Sequence, residues 1–475
     1  MPPLLRGAVS GPIEYLIPSD TLAARLAGNA MRLIVAILAL FLAGAPATAQ
    51  AVKYQRVSDR VFLVPDRAQA GMRFEMVVNA GAFDEAEGKV TGIAHYLEHL
   101  VLVGRNAEHG DAAVRMFADG STNGWTNDRA TVYLHNVPAR AEGYTAELEK
   151  LFGFYAARLK DFAITDADAA RERNVVLQEH DLRTQSSPTA LFYREANRRF
   201  IPDHPAGGWV VGTRESIAAM TLEEARAYHR AWYAPNNVWF VIRGDIPPER
   251  LKEIADKALA GIAEKPLPAR LKDAHPALGP APEAYRMRHP DVTRTLVVVG
   301  RMVRVAETDY LRQQATMTLL SAYLGSRFEG SGFDRLNETQ RVAADDLSFY
   351  LRRVAPSTLV LSLASSVAAG RTAAELQAAM AAYIDRIGSD GVPSEEQFRR
   401  LRQRMLDQIA RAHQPVQVHG RLVSWLADGR TPERFDQWAG IVGSITRQDV
   451  AALAAALAAP GKEMVATLEP DEAAQ

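Results

Sequence analysis

FYAARLKDFAITDADAARERNVVLQE (154–179) and AYIDRIGSDGVPSEEQFRRLRQRMLD (382–407) resemble each other weakly but in register. Tyr155 falls on Tyr383 and Glu179 on Asp407, 228 positions apart both times (383 − 155 and 407 − 179). Further along, SIAAMTLEEARAYHRAWYAPNNVWFVIRG (216–244) pairs with GSITRQDVAALAAALAAPGKEMVATLEP (443–470), with Thr221 on Thr446, 225 apart (446 − 221). Similar offsets over distant segments indicate tandem duplication of one fold rather than a short-period solenoid.

The join falls in EKPLPARLKDAHPALGPAPEA (264–284), which carries Pro266, Pro268, Pro276, Pro280 and Pro282. Proline at that density forbids a regular helix and suits an extended linker. The expected organisation is residues 50–263, a linker at 264–284, and residues 285–475, with halves of roughly 200 residues, a normal domain size. MRFEMVVNA (72–80) and ATVYLHNV (130–137) alternate apolar and polar residues as half-buried strands do, and NVWFVIRG (237–244) is a β-branched and aromatic run ending in glycine. Residues 141–160 and 166–183 read as helices, the second capped by Thr165 or Asp166. Strands in runs with helices over one side give an α+β fold: two tandem homologous α/β sandwich domains.

The chain has 475 residues, a formal net charge of -1 and no cysteine. No basic excess points to nucleic acid. Disulfides and thiolate metal sites are excluded, so any zinc site uses His, Asp or Glu. Before the duplicated body, Met31-Arg32 precedes the apolar run LIVAILALFLAGA (33–45) and Ala47-Thr48-Ala49. A basic start, a short apolar core and a small-x-small site read as a secretory signal cut after Ala49, with Met31 as the start and residues 1–30 upstream of it. The run is short of the roughly 20 residues of a membrane span, which makes an N-terminal anchor the second reading. The mature chain is expected in the periplasm or outside the cell, with no stable membrane span.

The chemistry begins at His95-Tyr96-Leu97-Glu98-His99. Residues four apart stand one turn above each other on a helix, so His95 and His99 aim two imidazoles at one point. Glu98 lies beside the same face, within reach of a water there. H-x-x-E-H is the inverted form of the H-E-x-x-H zinc-protease helix. A catalytic zinc needs a third ligand, and ERNVVLQEH (172–180) offers the best one. Glu172 and Glu179 are seven apart, about two turns, and face the same way. Glu179 is the expected ligand, Glu172 an outer partner orienting a histidine; His180 competes, although the helix turns it about 100° away.

GIAHYLEHLVLVG (92–104), STNGWTNDRATVYLHNV (121–137), ERNVVLQEH (172–180) and the stretch from Trp209 to Ile246 together resemble the pitrilysin/insulinase family of zinc peptidases. The resemblance covers roughly residues 52 to 470, and the size is similar to the shorter bacterial members and mitochondrial processing peptidase subunits. It implies two homologous halves enclosing a chamber, and one zinc ion per chain held by His95, His99 and Glu179. Glu98 takes the place of the base and Glu172 that of a supporting carboxylate. STNGWTNDRATVYL resembles the family's strand leading to N-A-x-T, whose edge pairs with the substrate backbone. Strand addition of that kind holds an extended peptide by main-chain hydrogen bonds. Asn123, Gly124 and Trp125 are the residues it points to.

One stretch departs from the family. Active single-chain relatives carry an Arg and a Tyr in an L-R-x-x-x-G-L-A-Y-like segment that reach the substrate. FDRLNETQRVAADDLSFY (333–350), aligned on Leu336, has Asn337 and Ala344 at those positions. The expected function is therefore a secreted zinc endopeptidase acting on extended or unfolded peptide, with a homologous partner subunit supplying the Arg/Tyr pair. The alternative is a non-catalytic peptide-binding or scaffold subunit of the same family.

Overall fold

The computed structural model describes residues 53–471 apart from 69–70, 86–88, 104–119, 161–163, 186, 203, 271–273, 283 and 412. The signal peptide read at residues 31–49 lies outside the described residues.

Two mixed sheets organise the chain. The first has the order β1-β2-β6-β3-β5-β4, with β1 Gln55–Arg56, β2 Val61–Pro65, β3 Gly71–Val78, β4 Ser121–Thr126, β5 Thr131–Pro138 and β6 Val238–Gly244. The second has the order β7-β11-β8-β10-β9, with β7 Tyr285–His289, β8 Leu296–Arg304, β9 Ser348–Ala355, β10 Thr358–Ser366 and β11 Lys462–Pro470. Beyond β1, the two orders superpose strand for strand. The last strand of each half returns to the centre and pairs parallel with the first, β6 with β2 and β11 with β7, while the other ladders are antiparallel. A shared topology with the same single parallel pairing is what duplication of one α+β unit produces.

The helices repeat as well. In the first half, α1 is Ile93–Val103, α2 Thr145–Lys160, α3 Asp166–Gln185, α4 Pro188–Phe200, α5 Leu222–Trp232 and α6 Pro248–Leu259. In the second, α7 is Tyr310–Leu324, α8 Ala373–Asp385, α9 Glu395–Arg411, α10 Pro415–Ala427 and α11 Arg447–Ala458. Their starts are chemically matched. Thr221 and Thr446 each cap a helix with a full capping box. Thr165 Oγ1 accepts the Asp168 amide at 3.1 Å, and Ser394 Oγ accepts the Gln397 amide at 3.2 Å. These two caps stand 229 apart (394 − 165), one residue from the sequence offset, so the helix register slips by one between the copies.

Helices cover one face of each sheet, as expected, but the opposite faces are not left to water. Each half lends a helix to the other. Helix α10 lies on the first sheet, where Leu422, Val423, Trp425 and Leu426 pack on Phe62, Val77, Val132, Trp239 and Val241. Helix α4 lies on the second, where Phe192, Ala196 and Phe200 pack on Val298, Met302, Val360, Met464 and Ala466. This is why β3 is buried along most of its length despite its alternating sequence. Burying one such side chain contributes about 1.5–3 kcal/mol. The segment between the halves is itself pinned: Arg270 bonds Asp84 Oδ1 (3.0 Å), Asn79 O (2.7 Å) and Asn237 Oδ1 (3.0 Å), and lies over Trp232.

Candidate metal centre

Helix α1 carries the H-x-x-E-H pentapeptide between two buried countercharges. Its first turn leaves amide hydrogens without intrahelical partners. The buried Glu85 carboxylate takes them, accepting from the Thr91 amide (2.5 Å), Gly92 amide (3.1 Å), Ala94 amide (3.2 Å) and Thr91 Oγ1 (2.8 Å). At the other end, the fully buried Arg158 donates to the Val101 carbonyl at 3.2 Å. Burial pushes Glu85 up to about 7 against the bonds from Thr91, Ala94 and Gly92; in its ionised form it complements the helix dipole at the N-terminus, as Arg158 does at the C-terminus. Tyr96 fastens α1 to α3, its hydroxyl donating to Ala169 O at 2.6 Å.

That contact brings the two helices' functional faces together. Nε2 of His95 and Nε2 of His99 each stand 3.5 Å from Oε2 of Glu179. The three ligand atoms lie within 4.8 Å of one another. A tetrahedral site with metal–nitrogen bonds of about 2.0–2.1 Å has ligand–ligand edges of roughly 3.4 Å. The two histidine–carboxylate distances match those edges, and two imidazoles with one carboxylate are a zinc donor set. Glu172 sits behind, its Oε2 3.8 Å from Nδ1 of His99. His180 does not join them: its Nδ1 faces Asp181 at 3.2 Å and its ring packs on Trp209.

The local charges favour a cation at this point. Burial, helped by His99, holds His95 down to about 3, so it is neutral, the form that ligates metals. Burial opposes a charge on His99, but the carboxylates of Glu172 and Glu179 overcome it and lift His99 to about 10, so a metal bound here would displace its proton. Burial raises Glu179, and His99, His95 and Arg183 together outweigh it, bringing it to about 2. Arg183, one turn on, pairs with Oε1 of Glu179 and leaves Oε2 for the histidines. Sequence reasoning did not single out Arg183, although a Glu and an Arg four apart on a helix are a readable pair.

Glu98 is buried beside the triad. Burial pushes it up to about 7, with His99 and a bond from Thr126 acting the other way. The strand read as substrate-binding, β4, is an edge strand of the first sheet and packs against α1. Asn123 is exposed on it, and its Oδ1 accepts the Gly124 amide at 2.9 Å. Gly124 faces Glu98 closely, and Trp125 is half-buried against the α10 cluster. In the second half, Asn337 is taken up locally, donating to Ala343 O at 3.0 Å. Arg335 and Tyr350 are exposed, Tyr350 on the edge strand β9.

Residues 60–198 match the family model described as Insulinase (Peptidase family M16), and residues 219–405 that of the Peptidase M16 inactive domain. The chain belongs to the pitrilysin/insulinase family. Among relatives of this insulinase-type chain, "Zinc protease PqqE" of Helicobacter pylori is 28% identical over 217 residues, 44% of this chain and 47% of that protein. A putative M16-like peptidase from Alicyclobacillus acidocaldarius has the same fold, with a TM-score of 0.71 at 20% identity over 88% of this chain and 98% of that one. The periplasmic protease PqqL from Escherichia coli matches with a TM-score of 0.69 at 15% identity, over 90% of this chain and 48% of that one. The match thus spans about half the length of PqqE and of PqqL.

Proposed function

We propose that the chain is a zinc-dependent metalloendopeptidase that cleaves extended peptides or unfolded segments, with Glu98 as general base. The observation that carries this is the convergence of His95, His99 and Glu179 on one point with Glu98 buried beside it. Zinc held by these three residues supplies Lewis acidity and makes water nucleophilic near neutral pH. Glu98 takes a proton from the attacking water and returns it to the leaving amine as the C–N bond breaks. Such proton transfer is typically worth about 10²–10⁴-fold. Glu172 orients His99 from behind. Strand β4, with Asn123, Gly124 and Trp125, receives the peptide as an added strand.

A homologous partner subunit completes the working enzyme. Asn337 and Ala344 stand where active single-chain relatives have Arg and Tyr, and 90% of this chain matches only 48% of the longer PqqL. The two halves of this chain are packed onto each other by apolar clusters, so a chamber around substrate calls for another surface. The compartment is extracytoplasmic, as the segment 31–49 and the periplasmic PqqL suggest. No single helix among the described residues is long and apolar enough to cross a membrane.

The second reading, a non-catalytic peptide-binding or scaffold subunit, draws on the match of residues 219–405 to an inactive-domain model. Metal analysis with Glu98→Gln separates the two. The peptidase reading expects one zinc per chain in both proteins and cleavage only with Glu98. A folded chain without stoichiometric zinc overturns it. Full cleavage by a proven monomer removes the partner.

A further inference from the structure

Glu98 has three rotatable side-chain bonds, and the helix that carries it fixes none of their ends. The opposing strand does. Thr126 Oγ1 donates to Glu98 Oε2 at 2.8 Å. Thr131 Oγ1 lies farther from the Thr126 hydroxyl, at 3.5 Å, and gives its own proton to the Ala80 carbonyl at 3.0 Å. Two residues back along the same face of β4, Gly124 leaves room for the other oxygen. A Cβ built there would stand 2.6 Å from Glu98 Oε1 and 2.9 Å from its Cγ. The carboxylate is therefore laid flat on β4, bonded at Thr126 and accommodated at Gly124.

We propose that Thr126 is a positioning residue that ties the Glu98 carboxylate to strand β4. The inference rests on Glu98 being the base and β4 the strand that receives substrate. Its consequence is that the base is registered to the same strand as the peptide, not only to the helix bearing the histidines. A peptide added to β4 then meets Glu98 at a fixed height above its scissile bond, and near-attack geometry of this kind is lost by displacements of about 1 Å.

Thr126→Val and Thr126→Ser test this in the full chain with zinc. Valine keeps the shape and the strand preference and removes the hydroxyl; serine keeps the hydroxyl and weakens the strand. A charge-assisted bond of this type corresponds to about 10- to 100-fold in kcat. The expected result is such a loss for Val, with KM and zinc content unchanged, and recovery to within about 3-fold for Ser. A purely structural role predicts the reverse order and overturns the proposal. In Glu98→Gln, adding Thr126→Val should cost nothing more, since the two act as one unit. If Glu98→Gln itself stays active, the base reading fails, independently of the Thr126 series. A crystal structure of the zinc-free Val variant gives a readout without activity: the carboxylate should leave the face of β4, and a carboxylate that stays in place sinks the idea.

Discussion

Arg183 holds Oε1 of Glu179 while Oε2 of the same carboxylate faces both histidines at 3.5 Å. The guanidinium restricts the rotation of this carboxylate. Arg183→Ala should leave the fold intact and lower zinc affinity by about 10- to 100-fold, the usual effect of removing an outer partner. Competition with a chromophoric chelator measures it. Unchanged affinity would mean that Arg183 is only a surface pair.

The candidate ligands sit on helices joined by α1–α3 packing and the Tyr96–Ala169 bond. Chelation should therefore abolish cleavage while far-ultraviolet circular dichroism stays unchanged. The unfolding free energy should fall only by the ligand's binding contribution, about 4 kcal/mol at free zinc 1,000 times the Kd. Unfolding on chelation would assign the metal a structural role.

Glu85 satisfies three amides at the start of the ligand-bearing helix. Glu85→Gln turns one acceptor oxygen into a donor that faces other donors. We expect a loss of about 1–3 kcal/mol in urea unfolding. Zinc affinity should weaken with it, because the frayed turn is the one preceding His95. A variant as stable as the parent would show that water takes over the cap.

His135 is buried on β5, bonded to Thr122 Oγ1 (2.9 Å) and to Tyr155 OH (2.6 Å). Burial, helped by Arg73, holds its pKa down to about 3. An unfolded chain takes up a proton here below about pH 6.5, whereas the folded chain refuses it until about pH 3. The unfolded state then binds more protons between these values, so stability falls as pH drops through this window, by up to about 1.4 kcal/mol per unit. Above pH 6.5 the contribution is complete. His135→Gln should flatten the stability-versus-pH curve between about pH 6.5 and 4. Parallel curves for both proteins would refute this.

The exchange of helices between halves predicts a single cooperative unfolding transition. Leu422→Ala, in a helix of the second half lying on the first sheet, should cost about 2–5 kcal/mol. It should lower the unfolding midpoint reported by probes in both halves alike. Residues 53–263 produced alone would expose Phe62, Val77, Trp239 and Val241, and should bind a hydrophobic dye or aggregate. A soluble, cooperatively folded fragment would contradict the interlock.

The sequence by itself determined whatever depends on one periodicity. His95 and His99 share a helix face because 3.6 residues make a turn, and so do Glu172 and Glu179. A hydroxyl or carboxylate three residues before a free amide caps it, so Thr165 or Asp166 marked the start of the 166–183 helix. The two halves were legible because offsets survive after side chains diverge. Tertiary structure decided what depends on which surfaces meet. An amphipathic helix has the same pattern whether it covers its own sheet or its neighbour's, so the exchange of α4 and α10 left no mark in the sequence. Of the adjacent pair Glu179 and His180, only the docking of α3 on α1 turned the first toward His95 and the second toward Trp209. The bond from Thr126 to Glu98 joins residues 28 apart on a strand and a helix. Hydrogen bonds are short and directional, and no sequence spacing places two such groups 2.8 Å apart; the packing of β4 on α1 does.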